Sequence, residues 1–166
     1  MQGDIQVLQS FAPIADEKTK VLIIGTMPSI ASLAVNEYYA YKYNAFWPII
    51  SKIYGKPLNN YSDKIMAAKS LGIGLWDCLY SCERNGSADS NITKELPNNF
   101  PYLLRQYPNI KKLLFNGKKA YQLFCKFYPQ LLKEYIYEIL PSTSPANASV
   151  SFDNKLQLWN SAINRL

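Results

Sequence analysis

Two asparagines stand where this chain could do chemistry without a titrating side chain. Asn44 lies in the aromatic stretch EYYAYKYNAFWPII (37–50), and Asn116 falls near the end of the apolar run KKLLFNG (111–117). Asn44 is either the cap of the helix that follows or a group that acts on a ligand. Asparagine is a poor strand residue, so Asn116 is either a turn residue or a bidentate amide. Such an amide accepts from an imide-like N–H and donates to the adjacent carbonyl.

The composition restricts the chemistry further. The chain of 166 residues contains no histidine, which excludes every mechanism that uses a histidine base. Three cysteines (Cys78, Cys82 and Cys125) make a poor zinc set without histidine, and CLYSC lacks the CxxC spacing of redox motifs. We therefore predict no metal and no cofactor. Catalysis would have to come from amides, carboxylates, lysines, hydroxyls or backbone donors.

Charge and length suggest the kind of partner and the domain organisation. The formal net charge of +6 suits a polyanion such as nucleic acid, although ordinary surface charge would also account for it. The basic residues are spread along the chain, with one local group at Lys111, Lys112, Lys118 and Lys119. No apolar run approaches the roughly 18 residues of a membrane span, and no signal peptide is recognisable. We predict a cytoplasmic protein with a single domain over residues 1–166.

Short apolar runs alternate with segments of helical spacing. Strands are predicted at VLIIG (21–25), GIGLW (72–76), KKLLFNG (111–117) and YIYEIL (135–140). Helices are predicted over 45–54, 62–70 with Ser62 as a cap, 100–107, 118–128 and 154–166. This alternation predicts an α/β fold with a mainly parallel sheet. In such sheets the ligand crevice lies outside the carboxyl ends of the strands.

Small, polar or turn-forming residues follow all four predicted strands, as expected of the rim of a site. In GTMPS (25–29), Gly25 would let backbone approach a ligand closely, but the phosphate-loop pattern is absent. The loop LPSTSPANAS (140–149) is either a capped turn or a grip on a phosphate backbone. We interpret Asp77 as a helix cap, and Asp89 as either a loop anchor or a residue that supports the site.

Five motifs together resemble a known family. GTMPS, YYAYKYNAFWPI, GIGLWDCLYSCERNGSADSNI, FNGKKAYQLF and LPSTSPANAS occur in an order and spacing similar to the uracil-DNA glycosylase superfamily, most nearly its DNA-deoxyinosine (hypoxanthine-DNA) branch. The resemblance runs from about residue 21 to residue 160. It implies a three-layer α/β/α fold with a four-stranded parallel sheet. It also implies a monomeric, metal-free enzyme that flips a deaminated base from DNA and hydrolyses its N-glycosidic bond.

The resemblance also implies roles for particular residues. Asn44 would serve catalysis, Phe46 would stack on the flipped base, and Asn116 would read the base edge. The other residues assigned by the resemblance would border the base (Gly25, Thr26, Pro28) or contact DNA (Lys42, Lys118, Ser142, Thr143, Ser144, Pro145).

Departures from the family pattern leave Asn44 as the main candidate for handling water. The first turn carries neither a carboxylate nor an amide, Leu140 stands where classical members have histidine, and Tyr43 replaces an arginine. An oxocarbenium-like transition state needs only a positioned water, which an amide oxygen can orient. Hypoxanthine and uracil offer Asn116 the same donor and acceptor pair, so uracil is an alternative substrate. A DNA-binding relative without catalysis is the third reading.

Overall fold

The structure, a computed structural model, describes residues 6–165. The strands, in chain order, are β1 (Val7–Gln9), β2 (Val21–Gly25), β3 (Ile73–Asp77), β4 (Leu79–Glu83), β5 (Thr93–Pro97), β6 (Lys112–Asn116) and β7 (Ile136–Leu140). The α-helices are α1 (Ile30–Val35), α2 (Phe46–Tyr54), α3 (Tyr61–Ser70), α4 (Phe100–Gln106), α5 (Lys118–Phe127), α6 (Leu131–Glu134) and α7 (Phe152–Asn164). No helix within 6–165 is long and apolar enough to cross a membrane.

The central sheet is four-stranded and parallel, which confirms the predicted fold class. Its order is β3-β2-β6-β7, and the four predicted strands lie within a residue or two of the observed bounds. Gly25 pairs with Asp77 across β2 and β3, and Asn116 pairs with Leu140 across β6 and β7. Because all four strands run the same way, these four residues lie along one edge of the sheet, the carboxyl edge.

Helices cover both faces of this sheet and give the three layers. On one face Val21, Ile23 and Leu75 pack with the apolar sides of α2, α3 and α7. On the other face Leu22, Ile24 and the residues around them pack with α4 and α5. Alternate residues of β2 therefore enter opposite cores, which explains why the run VLIIG is apolar throughout.

A second, three-stranded sheet was not predicted from the sequence. Strands β1, β4 and β5 form it in antiparallel order β1-β4-β5. A single residue, Cys78, separates the end of β3 from the start of β4. Two register irregularities interrupt the pairing of β4 with β5. Asp77 is thus the last residue of β3 before another strand, so its interpretation as a helix cap was wrong.

The helix starts differ from the predictions in informative ways. The backbone position that caps α2 is Ala45, while the Asn44 side chain Oδ1 accepts a hydrogen bond from the Phe46 N–H at 2.9 Å. Pro48 occupies the third position of α2, where its missing N–H costs no helical hydrogen bond. Asn60, rather than Ser62, caps α3. Leu166 of the predicted last helix and residues 1–5 of the predicted domain lie outside the described residues.

Candidate active site

Thr143 joins the two asparagines that the sequence singled out. Its backbone N–H donates to Asn116 Oδ1 and its Oγ1 accepts from Asn116 Nδ2, both at 2.9 Å. Its carbonyl oxygen accepts from the N–H of Ala45, next to Asn44, at 2.9 Å. Thr143 is 1% exposed. Its predicted contact with DNA is therefore not supported, and it instead ties the end of β6 to the start of α2.

The aromatic ring that reaches the site is Tyr39 rather than Phe46. Phe46 is fully buried, packed between Trp47, Trp159 and the Tyr39 ring, whose centroid lies 4.2 Å from its own. No face of the Phe46 ring is free in this structure, so a base could stack on it only after Tyr39 moves, and the stacking role of Phe46 stays a prediction. Tyr39 is half-buried. Burial raises its pKa and the nearby Asn116 side chain opposes that rise, so the Tyr39 hydroxyl lies close to Asn116.

Gly25 lies directly beneath this cluster. A methyl group added to Gly25 would overlap a carboxylate oxygen of Asp77 and lie 3.1 Å from the Tyr39 hydroxyl oxygen. Glycine is therefore the residue that allows both polar groups to rest on the end of β2. Tyr39 itself has a positive φ of 55°, which is uncommon for a bulky residue and is a feature that clusters at functional sites.

The buried side chain of Arg84 fixes the first turn after β2. Arg84 is buried and donates from Nη2 to the Pro28 carbonyl oxygen at 2.6 Å and from Nε to the Gly86 carbonyl oxygen at 2.8 Å. Thr26 is buried too. Burial raises the pKa of Asp89, and Arg84 and Thr26 oppose that rise, so Asp89 lies beside this turn in a position consistent with a loop anchor. Gly25, Thr26 and Pro28 were predicted to border the base. Gly25 faces the cluster, while Thr26 is buried and the Pro28 carbonyl oxygen is bonded to Arg84, so the roles of Thr26 and Pro28 stay predictions.

Asp77 is the buried ionisable group that lies against Gly25. It is 4% exposed and forms no ion pair with the residues in 6–165. Burial, reinforced by the charge of Asp89 and opposed by Arg84, raises the pKa of Asp77 to about 7. The sequence analysis gave Tyr39 and Asp77 no part in the chemistry, although the structure places both beside Gly25. A signal existed for Asp77, because aspartate is depleted in strands and here directly ends an apolar one.

The predicted DNA contacts have mixed positions. Lys42 and Tyr43 are exposed next to Asn44, with Lys42 Nζ 4.8 Å from the centre of the Tyr43 ring. Lys118 is exposed at the first position of α5, immediately after Gly117. Pro145 is exposed, while Ser142 and Ser144 are half-buried and accept hydrogen bonds from loop N–H groups. Five of the residues predicted to contact DNA (Lys42, Lys118, Ser142, Ser144 and Pro145) border the carboxyl edge. Their DNA contacts stay predictions.

The local group of four lysines is divided by the fold. Lys111 and Lys112 precede or begin β6 and lie at the amino-terminal edge of the sheet, whereas Lys118 and Lys119 begin α5 at the carboxyl edge. A cavity of about 1160 Å³ lies at the amino-terminal edge, where Lys18, Lys20 and Lys111 are among its lining residues. It contains none of the residues assigned to the base, and Tyr39 fills the space between Gly25, Phe46 and Asn116.

The described residues contain no cluster of three or more histidine, cysteine or acidic side chains arranged to hold a metal ion. Cys78 and Cys82 are buried as free thiols, and burial raises the Cys78 pKa to about 12. The side chains near this edge include amides, hydroxyls, lysines, aromatic rings and the Asp77 carboxyl group.

These features describe a three-layer α/β/α protein whose polar cluster lies at the carboxyl edge of a parallel sheet. The model of the uracil DNA glycosylase superfamily matches residues 12–166. The chain therefore belongs to that superfamily, as the motifs had indicated.

Individual relatives match nearly the whole chain. A hypoxanthine DNA glycosylase of Methanosarcina barkeri is 37% identical over 161 residues, covering 95% of this chain and 98% of the relative. A protein of the same name from Methanosarcina acetivorans is 35% identical over 157 residues, covering 92% and 96%. The solution NMR structure of a candidate uracil DNA glycosylase from M. acetivorans superposes with a TM-score of 0.81 at 33% identity, covering 95% and 97%.

Proposed function

We propose that this protein is a DNA glycosylase that hydrolyses the N-glycosidic bond of hypoxanthine in DNA. Two relatives named hypoxanthine DNA glycosylase, at 37% and 35% identity over nearly the full chain, carry this proposal. The geometry is consistent with it, because Thr143 bonds the Asn116 amide directly and its carbonyl oxygen accepts from the Ala45 N–H next to Asn44, which brings the two candidate residues near each other. We propose further that residues 1–166 act as a monomeric domain in the cytoplasm.

The attacking water does not need a strong general base. Cleavage passes through an oxocarbenium-like state that a positioned water can trap. Asn44 would orient that water through its side-chain amide, which is fixed by the bond between Oδ1 and the Phe46 N–H. Asn116 would exchange part of its pairing with Thr143 for the N1–H and O6 of the base.

Tyr39 would supply the ring that contacts the flipped base. It is the half-buried aromatic residue that rests on Phe46, and its hydroxyl lies at Asn116 and beside Gly25. A base that enters this space meets Tyr39 first, so Tyr39 has to shift, either to stack on the base or to move its hydroxyl away from Asn116. Flipped bases are commonly read by such stacking together with edge hydrogen bonds.

The deciding experiment is a cleavage assay with single-turnover kinetics. Oligonucleotides carry one deoxyinosine, deoxyuridine or deoxyxanthosine, with the undamaged strand as control, and alkali reveals abasic sites. We expect the highest rate on deoxyinosine. Cleavage of no substrate would contradict the enzyme function and favour a DNA-binding relative.

Uracil is the second candidate base. The structural neighbour described as a candidate uracil DNA glycosylase matches at 33% identity, and uracil N3–H and O4 present the same donor and acceptor to Asn116 as hypoxanthine N1–H and O6. A higher rate on deoxyuridine than on deoxyinosine in the same assay would favour this candidate.

Replacement of Tyr39 tests its contact with the base. We expect Tyr39→Leu to reduce the cleavage rate by about tenfold to a hundredfold, because base–aromatic stacking contributes about 1–3 kcal/mol. Tyr39→Phe keeps the ring and loses only the hydroxyl near Asn116 and Gly25, so its rate should stay within about tenfold of wild type. Equal rates for Tyr39→Leu and Tyr39→Phe would show that stacking on this ring does not contribute.

Matched lysine pairs test which edge of the sheet binds DNA. Lys42→Ala with Lys118→Ala removes two charges at the carboxyl edge, and Lys20→Ala with Lys111→Ala removes two at the opposite edge. We expect the first pair to lower the slope of log K against log salt by about one unit per lysine. The second pair should bind with the wild-type slope. Equal slopes for the two pairs would place the DNA elsewhere.

A further inference from the structure

Asp77 is a buried carboxyl group that neither the fold nor the reaction described above uses. The backbone around it is already well bonded: Asn98 Nδ2 donates to the carbonyl oxygens of Asp77 at 2.8 Å and Leu79 at 3.0 Å, and the Cys78 N–H donates to the Gly25 carbonyl oxygen at 2.7 Å. These contacts join β3 to β4 without the Asp77 side chain. The carboxyl group instead rests on Gly25, beside the Tyr39 hydroxyl.

The position of Asp77 brings a carboxyl group to the carboxyl edge of the sheet. The first turn after β2 carries no carboxylate of its own, and Asp77, its partner in the parallel pairing, brings one to the same place from the neighbouring strand. An isolated carboxylate buried without a cation opposes folding. A buried carboxyl group that keeps its proton avoids that cost and becomes a hydrogen-bond and proton donor.

Resting on the proposed glycosylase function, we propose that Asp77 is the general acid that protonates the departing hypoxanthine. The Asp77 carboxyl group gives its proton to a ring nitrogen of the purine as the bond between C1′ and N9 breaks. The base leaves neutral, and a water that Asn44 orients adds its oxygen to C1′. The proton lost by that water returns to the Asp77 carboxylate, which restores the starting state.

Two charged residues, Asp89 and Arg84, shift the Asp77 pKa. Asp89, on the turn that follows β4, raises the pKa of Asp77, and Arg84 of the same connection lowers it. Tyr38, Tyr39 and Cys78 also face Asp77, and burial raises the pKa of all three well above neutrality, so they stay uncharged. The Asp77 pKa of about 7 lies where a catalytic acid works best at neutral pH.

The test is the pH dependence of single-turnover cleavage of deoxyinosine DNA. With a protonated Asp77 required, the wild-type rate should be level below pH 7 and fall about tenfold per pH unit above it. Asp77→Asn keeps the size of the side chain and cannot give up a proton. We expect its rate at pH 6 to be about a hundredfold below wild type, with no decline between pH 7 and 9 and unchanged affinity for undamaged DNA.

Asp89→Asn is the matched control. It removes a neighbouring negative charge, so the Asp77 pKa and the midpoint of the rate profile should move to lower pH, with the rate at pH 6 preserved within about threefold. A flat wild-type profile, an Asp77→Asn enzyme at wild-type rate, or one that is slower with the same midpoint would each overturn the role of Asp77. If Asp77→Asn fails to fold, an unshifted midpoint in Asp89→Asn would overturn it and a shifted one would support it.

The pH dependence of the free energy of unfolding tests the Asp77 pKa independently of activity. The folded protein holds a proton on Asp77 up to about pH 7, whereas an unfolded aspartate releases it near pH 4. The free energy of unfolding should therefore fall as pH rises from 4 to 7, and Asp77→Asn should lack this part of the fall. A wild type that cleaves no substrate contradicts the glycosylase function, while a wild type that cleaves with Asp77→Asn unchanged contradicts this inference alone.

Discussion

Asn44→Ala is expected to lower the single-turnover rate on deoxyinosine DNA by at least about a hundredfold. The Phe46 N–H donates a hydrogen bond to Oδ1 and thereby fixes the Asn44 side chain. A water bound to this fixed amide would also have a defined position. Loss of that group leaves the water free to sample unproductive positions, and misplacement of a reacting group by about 1 Å is enough for an effect of this size.

The structural part of this effect can be measured separately. The same Asn44 oxygen caps the first turn of α2, so Asn44→Ala should also lower the free energy of unfolding by about 1 kcal/mol. Asn44→Ser keeps a capping oxygen and loses the amide, so we expect nearly wild-type stability in urea with the rate of the alanine variant. A serine variant that cleaves at the wild-type rate would assign Asn44 to the helix start alone.

The sheet was predictable because burial on both faces leaves a clear signal. VLIIG and the three similar runs are apolar without alternation, which is typical of the strands of a parallel sheet, and the turn residues after each run indicated the carboxyl edge. The second sheet left no such signal. Its strands are short, half-exposed and irregularly paired, so neither a period of two nor an apolar run distinguishes them from loop.

The sequence indicated where the two candidate asparagines lie, beside the start of α2 and at the end of β6, but not how the residues around them pack. Phe46 and Tyr39 are both aromatic residues near Asn44, and the sequence does not tell which ring is covered by the other. The position of Thr143 depends on a contact between residues 27 positions apart, which no local pattern encodes. Tyr39 has a positive φ, its ring packs on Phe46 and its hydroxyl lies near Asn116. These neighbours come from the next helix and from a distant strand, which no local pattern reveals.

Asn116→Ala is expected to remove most of the preference for the hypoxanthine edge. A bidentate amide contact to a base contributes about 1–3 kcal/mol of discrimination, so the rate on deoxyinosine should fall about tenfold to a hundredfold. The contribution is isolated with a second substrate that carries unsubstituted purine, which lacks both O6 and the N1–H. Wild type should prefer hypoxanthine to purine, and Asn116→Ala should lose that preference, as in a double-mutant cycle between enzyme and substrate.

The bonds between Asn116 and Thr143 require a control for stability. Asn116→Ala leaves the buried Thr143 N–H and Oγ1 without this partner, which should lower the free energy of unfolding by about 1–3 kcal/mol. Thr143→Val removes Oγ1 alone and keeps both the shape of the side chain and the N–H bond to Asn116 Oδ1. It should reduce stability while the ratio of hypoxanthine to purine cleavage stays close to wild type, because the Asn116 amide is still present to read the base. If Thr143→Val lost the ratio as fully as Asn116→Ala, the amide would act through the loop it holds rather than through the base.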